Sequence, residues 1–408
     1  MRAYFELLKI RGAQVLLISA FPARLAYSMI GLGTYFKVQH ATHSISAAGL
    51  AVGLEGMSSA LTAGVRGSIM DRWGLKWPLR TFVPAYAALI IIFNLGQSRN
   101  ELILVAFILG FTAPPINLSV RPMWKITVPP DMIRTAYAMD TSVMTSVGVF
   151  GPVLVTTLAL SSHPASALNA CAGFMLFGGG MMALLPATKA WVPEKKVKGE
   201  LPIWKVPAIR LLMLEGVFIG FGWGAFYIGV PAFATLQNVS HRTGLILAVM
   251  SAFTVIGGLL AGLISSKTSS LQAFRRLYLA WFIFSLPLAF TFPDWRLMLV
   301  VAFIGLVNGG LHVFYWEITE AVRPRGSAVA ALGWLWTVEG TCAALGQAAG
   351  GFISQNYSPR WCLGATTIAI SIGLVVINLG KGRLKAADRI PTKESDTEAL
   401  GDVVSSEN

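Results

Sequence analysis

Arg24, Glu55 and Glu339 stand near the middle of long apolar runs in this 408-residue chain, and Asp140, Glu215 and Glu317 stand nearer the ends of such runs. A charge at the centre of a membrane-length apolar segment costs roughly 2.5–3.5 kcal/mol, so it is expected to face a bundle interior and to have a partner or a use. A carboxylate shielded from water favours its protonated form and can exchange a proton near neutrality. Arg24 and Glu55 lie on consecutive segments and can pair. In one reading Arg24 touches a solute or tunes the proton affinity of Glu55; in the other the pair only holds helices together. Glu339 has no evident partner in sequence and is the foremost proton-carrier candidate, with Asp140 behind it. His312 is mid-segment, where an imidazole can bind a solute, titrate, or hydrogen-bond across helices.

Polar and aromatic residues within the runs are candidates for lining a cavity: Tyr27, Asn117, Trp223, Tyr227, Asn308, Tyr315, Trp334 and Trp336. Aromatic residues in apolar helices also serve as packing and as interface anchors. His40 and His43 lie three residues apart, too few ligands for a metal site. Cys171, Cys342 and Cys362 show no CxxC spacing and read as small buried residues. No metal and no cofactor is expected, apart from a proton gradient as an energy source. The chain contains no GxSxG, no HExxH and no Walker loop, so neither an enzyme nor an ATP-driven pump is indicated.

The elements that must position these residues follow from composition. Hydrophobic residues make up 55% and charged residues 12% of the chain, against about 25% charged in soluble domains. The apolar residues fall in runs of about twenty, the length that crosses a bilayer. Twelve spans are expected near 14–36, 44–68, 80–97, 101–121, 133–160, 166–186, 207–232, 243–265, 274–292, 297–319, 327–353 and 361–380. The first, Gln14 to Phe36, is too long for a cleavable signal and is interrupted by Arg24. Lipid leaves open backbone groups unsatisfied, and the runs lack strand alternation, so the spans are helices. Pro114, Pro115, Pro152 and Pro231 fall within them and mark kinks.

Of the 32 Lys and Arg, only Lys37, Arg99, Arg242, Arg296 and Arg360 lie in the loops of one side. Arg24 and Arg66 lie within spans, and all the others fall on the side of the termini. By the positive-inside rule both termini are cytoplasmic. The net charge of +13 is thereby accounted for without nucleic acid. The longest internal loop, 187–206, is basic and separates 1–186 from 207–380, six spans each. The segment 381–408 is polar and is expected to be a disordered tail. Thr135-Ala136-Tyr137-Ala138 with Gly148 and Ser327-Ala328-Val329-Ala330 with Gly340 repeat the same offsets in the fifth span of each half. Gly216-x-x-x-Gly220-x-x-x-Gly224, Gly258-x-x-x-Gly262 and Gly346-x-x-x-Gly350 read as faces for close helix packing.

After the second span the chain reads Gly67-Ser68-Ile69-Met70-Asp71-Arg72-Trp73-Gly74-Leu75-Lys76-Trp77-Pro78-Leu79. This resembles the G-x-L-x-D-R-x-G-R-K-x-x-L signature loop of the major facilitator superfamily, with Leu75 standing where a second basic residue is usual. The resemblance implies an all-α integral membrane fold of two six-helix bundles around a central cavity. It assigns Gly67, Asp71, Arg72, Gly74 and Lys76 to a gating contact on the cytoplasmic face. Gly151-Pro152 matches the kink signature of proton-driven exporters in that superfamily, although the glycine pair usual after it is absent. Arg121 lies at a span end, where those exporters carry an arginine well inside.

The expected function is secondary active transport of a small solute by alternating access. Its finer form is proton-coupled efflux of drug-like compounds or metabolites. The alternative is a non-transporting receptor or assembly partner with a permease fold. The expected setting is a monomer in the cell membrane, with lipid and a small-molecule substrate as its partners.

Overall fold

The computed structural model describes residues 2–129, 132–190, 205–261, 269–323 and 328–387. Among these the regular structure is helical throughout, with no strand. The helices are α1 (Arg2–Lys9), α2 (Arg11–Thr42), α3 (Ile45–Trp73), α4 (Lys76–Leu95), α5 (Arg99–Thr112), α6 (Ile116–Thr127), α7 (Ile133–Ala159), α8 (Ala165–Phe174), α9 (Gly180–Leu184) and α10 (Pro186–Ala190). They continue with α11 (Pro207–Leu236), α12 (Arg242–Ala261), α13 (Ser270–Ser285), α14 (Trp295–Val322), α15 (Ala328–Asn356) and α16 (Pro359–Leu379). By length and composition, eight described helical stretches are apolar enough to cross a membrane.

Local sequence fixes where these helices start and stop. Ser44, Ser98, Ser269 and Ser358 each cap a helix N-terminus through the side-chain oxygen, which accepts an orphan backbone N–H. Pro207 and Pro359 open α11 and α16, where the missing N–H has no partner to lose. Gly74 ends α3 at φ 75°, a conformation only glycine adopts freely, and its N–H bonds back to Met70 O at 2.8 Å.

Several sequence expectations need correction. The stretch 101–121 is not one kinked helix. Pro114 and Pro115 bring no N–H, so α5 ends at Thr112 and α6 starts afresh at Ile116. The stretch 166–186 is interrupted by a π-helical turn at Met175–Gly179, between α8 and α9. The first helix pair is longer than read, with α2 running to Thr42. The segment after α16 is not disordered at its start. Lys381–Ala387 forms a 3₁₀ turn that buries Leu384 against the neighbouring helices, and residues 388–408 lie outside the described ones. The basic loop reads the same way: 191–204 lie outside the described residues.

Buried apolar side chains gather in two clusters. One is built from α1 to α9 and takes in Ile228 and Ala232 of α11. The other is built from α11 to α16, with Leu32 of α2 packed against it. The clusters meet along α3 with α15 and along α7 with α12. At the first of these seams a Cβ on Gly49 would lie 2.7 Å from both Gln347 O and Gly351 Cα. The Gln355 side chain accepts from Ser44 Oγ at 2.8 Å and from Ser46 N at 2.7 Å. At the second seam a Cβ on Gly244 would lie 2.6 Å from Pro152 O. Within the second cluster, α11 packs so closely on α15 that a Cβ on Gly224 would collide with the carbonyl oxygen of Ala343.

The tight α11–α15 contact has a measurable consequence. Gly224→Leu forces backbone apart and should cost about 1–3 kcal/mol. In detergent its apparent unfolding temperature should fall by several degrees. Gly173→Ala meets open space in α8 and should unfold with the native protein. Equal unfolding temperatures for Gly224→Leu and the native chain would exclude the contact.

Candidate functional site

Two polar groupings lie in the helical core, one in each cluster. In the first, Arg24 of α2 is almost wholly buried and donates from Nη1 to Asp140 Oδ1 at 2.7 Å and from Nη2 to Asp140 Oδ2 at 3.1 Å. Its Nε donates to Asn117 Oδ1 at 3.1 Å. A forked, two-point bond of this kind fixes geometry as well as charge. The guanidinium therefore ties α2 to α6 and α7.

Arg24 does not pair with Glu55. The two helices run antiparallel about the turn at His43, and Glu55 lies beside Thr34, whose Oγ1 donates to Glu55 Oε2 at 2.9 Å. Arg24 stands ten residues before Thr34, about 15 Å along the helix. Equal distance from the middle of each apolar run is not equal depth here, because α2 extends to Thr42. Tyr27 donates its hydroxyl to Pro114 O and sets its ring 5.8 Å from that of Tyr86.

The second grouping lines a cavity of about 600 Å³. Its wall comes mainly from α11, α14 and α15, with Met144 and Gly148 of α7 closing one side. Glu215 and Glu339 bring its two carboxyl groups, and no Lys or Arg is on the wall among the described residues. Glu215 is buried and accepts from Tyr278 Oη at 2.8 Å. Glu339 has no hydrogen bond or ion pair among the described residues. A Cβ on Gly216, next to Glu215, would lie 3.8 Å from its Cβ.

Of the other sequence candidates, Trp223, Tyr227, Asn308, His312, Tyr315 and Trp336 are all on this wall. Tyr27, Asn117, Arg24, Asp140 and Glu55 are not; they belong to the first cluster. Asn308 is 7% exposed, and its Oδ1 has no hydrogen-bond partner. The indole Nε1 of Trp281, also on the wall, has none either. His312 Nδ1 lies 3.0 Å from Asn308 O. A backbone carbonyl only accepts, so Nδ1 carries the proton, and in the neutral ring the lone pair is then on Nε2.

Rings cover much of the wall in separate groups. Trp223 lies 5.6 Å from Trp281 and 5.9 Å from Tyr227 between centroids, and Tyr315 lies 6.2 Å from Trp316. Trp336 is 56% exposed and Tyr227 44% exposed, both large for residues that also line a cavity. Trp334 is 46% exposed and off the wall. Glu317 accepts from Ser270 Oγ at 2.6 Å, also away from the wall.

Sequence reasoning ranked Glu215 low because it sits near a segment end, and it missed Trp281 and Trp316. An aromatic run at helical spacing, Trp223 and Tyr227, was the one available signal.

Gly67, Asp71 and Arg72 lie in the last turns of α3, and the side chains of Asp71 and Arg72 are outside the described ones. The turn itself is formed: Gly74 has the positive φ noted above, Leu75 is buried, and Lys76 Nζ lies 5.1 Å from the Trp77 ring centre. Gly151 packs on the Ser28 hydroxyl of α2, and Pro152 lies inside α7.

Residues 16–340 match the Major Facilitator Superfamily. An uncharacterized MFS-type transporter of Sinorhizobium fredii, y4rN, is 26% identical over 275 residues, 64% of this chain and 68% of that protein. Among solved structures, the nucleoside transporter NupG aligns with a TM-score of 0.70 at 13% identity, over 92% of this chain and 99% of that one. A bacterial homologue of the iron transporter ferroportin, in an inward-facing state, aligns with a TM-score of 0.72 at 11% identity, over 93% and 99%. Likeness at such identities speaks for the fold alone. The family match covers most of the chain, and the apolar helices fit it. The chain belongs to the Major Facilitator Superfamily and is a membrane-spanning protein of that transporter family, whose members are not enzymes.

Proposed function

We propose that the chain is a twelve-span secondary transporter carrying a small solute across the cell membrane by alternating access, through the cavity walled by α11, α14 and α15. The observation that carries this reading is the cavity itself: about 600 Å³, polar at a few points and aromatic elsewhere, within the usual range for a small-molecule site. The α3–α15 seam at Ser44, Gly49 and Gln355 and the α7–α12 seam at Gly244 sit at the helix ends away from the termini. Closure there and a cavity on the other side fit a state open to the side of the termini, which the placement of Lys and Arg makes the cytoplasm. The two apolar clusters serve as the two six-helix bundles that rock against each other. Gly67, Asp71, Arg72, Gly74 and Lys76 form the gating contact of the opposite state, and Gly151-Pro152 supports efflux as its direction. The chain acts as a monomer in lipid.

Glu339, partnerless on the wall, is the proton carrier. Reconstituted protein should exchange a labelled substrate across proteoliposomes and accumulate it against a pH gradient. Glu339→Gln should retain exchange and lose gradient-driven accumulation. Unchanged accumulation removes Glu339 from coupling, and absence of flux for every solute class tried favours a receptor instead. A single cysteine at Lys195 should be labelled only from the cytoplasmic side.

The Arg24–Asp140 pair has a separate test. Removing one partner strands a buried charge, which costs about 3–5 kcal/mol. Arg24→Ala should therefore sharply reduce the amount of folded protein. Arg24→Ala with Asp140→Ala should recover much of it. A double variant as poor as the single one would show that the pair does more than neutralise charge.

A further inference from the structure

We infer that the cavity takes an amphipathic organic cation: a protonated amine joined to an aromatic body that also carries a hydrogen-bond acceptor. The inference rests on the transport cavity proposed above and adds the chemistry of what fills it.

Charge comes first. The wall carries the carboxyl groups of Glu215 and Glu339 and no Lys or Arg among its described residues; His312 is its one imidazole. The first polar grouping cannot supply the missing charge, because the Arg24 guanidinium is already engaged by Asp140 and Asn117. Tyr278 gives Glu215 a hydrogen bond but no charge. A site of this sign favours a cation and disfavours an anion.

The neutral polar groups point the same way. Asn308 Oδ1 is a buried acceptor without a donor, and a neutral His312 ring, protonated on Nδ1, offers the Nε2 lone pair as a second. An unmet buried acceptor is costly until a donor reaches it. The ammonium N–H groups of an amine are such donors, and a quaternary cation has none. The unpartnered Trp281 Nε1 asks for the reverse, an acceptor oxygen or nitrogen on the ligand.

The rings set the body of the ligand. Trp223, Trp281 and Tyr227 form a contiguous patch, with Tyr315 and Trp316 on α14 and Trp336 on α15 also on the wall. Aromatic faces attract cations through their quadrupoles and stack on flat apolar groups. The exposure of Trp336 leaves its face available to an incoming molecule.

Tritiated propranolol is a suitable probe: it has a protonated amine, a hydroxyl, an ether oxygen and a naphthyl ring. Its glycol, in which a hydroxyl replaces the amine, keeps the rest and is neutral. Equilibrium binding to the purified full-length protein in detergent should show saturable propranolol binding. The glycol should bind roughly tenfold more weakly or worse, the cost of leaving charged groups unpaired. Glu339→Gln should remove most of that preference, and Trp336→Ala should weaken both compounds.

Equal binding of the two compounds by the native protein overturns the inference, and this comparison needs no variant to fold. So does a preference that Glu339→Gln and Glu215→Gln both leave intact. Flux of neutral or anionic solutes without propranolol binding overturns the cation assignment and leaves transport standing. Propranolol binding without flux of any solute does the opposite.

Discussion

Inside a membrane a polar group has no water to fall back on, and the structure is governed by how each buried polar group finds its partner within the protein. Arg24 meets this constraint with a bidentate carboxylate and an amide, drawn from two other helices. Glu55 meets it with Thr34, and Glu215 with Tyr278. Among the described residues, buried side-chain atoms without a partner occur at Tyr35, Trp124, Thr156 and Thr243 as well as on the cavity wall. On the wall they are Asn308 Oδ1, Trp281 Nε1 and Gln347 Oε1, beside the partnerless Glu339, where a ligand can reach them.

The same constraint separates charges that serve the fold from charges that serve a site. Arg66 lies within a span, yet its partners are two backbone carbonyls and the Ser59 hydroxyl. Its Nη1 donates to Gly110 O at 2.9 Å and its Nη2 to Ser59 O at 2.6 Å. Gly110 would normally give its carbonyl to the N–H four residues on, but that residue is Pro114. The guanidinium fills the place of the missing donor. Tyr27 adds a second donor to Pro114 O, which also accepts from Ile116 N at 2.8 Å. Two side chains from neighbouring helices thus make the α5–α6 break tolerable in an apolar setting. The break in turn fixes where α6 begins, and with it the position of Asn117 against Arg24.

Much of this was legible in the sequence, and the limits have physical reasons. Apolar run length and the absence of strand alternation located the helices, because both follow from the solvent the chain must face. The Gly74 turn was legible because few residues tolerate its backbone, and the surrounding motif carried the family with it. Individual wall residues were legible as polar or aromatic exceptions. Their convergence was not, because residues from three or four helices meet only through helix rotation, which a single sequence does not display. Arg24 with Glu55 shows the cost of arguing without rotation and register. Both residues are deep, but α2 extends further than its apolar core, and their neighbours turn out to be Asp140 and Thr34.

The two polar groupings divide the work unequally. The first is internally neutral and held by short, directional bonds between α2, α6 and α7. Opening it would strand charge in an apolar medium, so it behaves as a fixed part of its cluster. The second has an unbalanced carboxyl pair and exposed rings, on helices whose mutual contacts run through glycine. Gly216, Gly220 and Gly224 bring the α11 backbone against α15 at the level of Glu339 and Ala343. Small-residue contacts hold backbones close through packing rather than through specific polar bonds. The neutral cluster is therefore suited to act as the anvil, and the charged, ring-lined wall as the face that adjusts to what it holds.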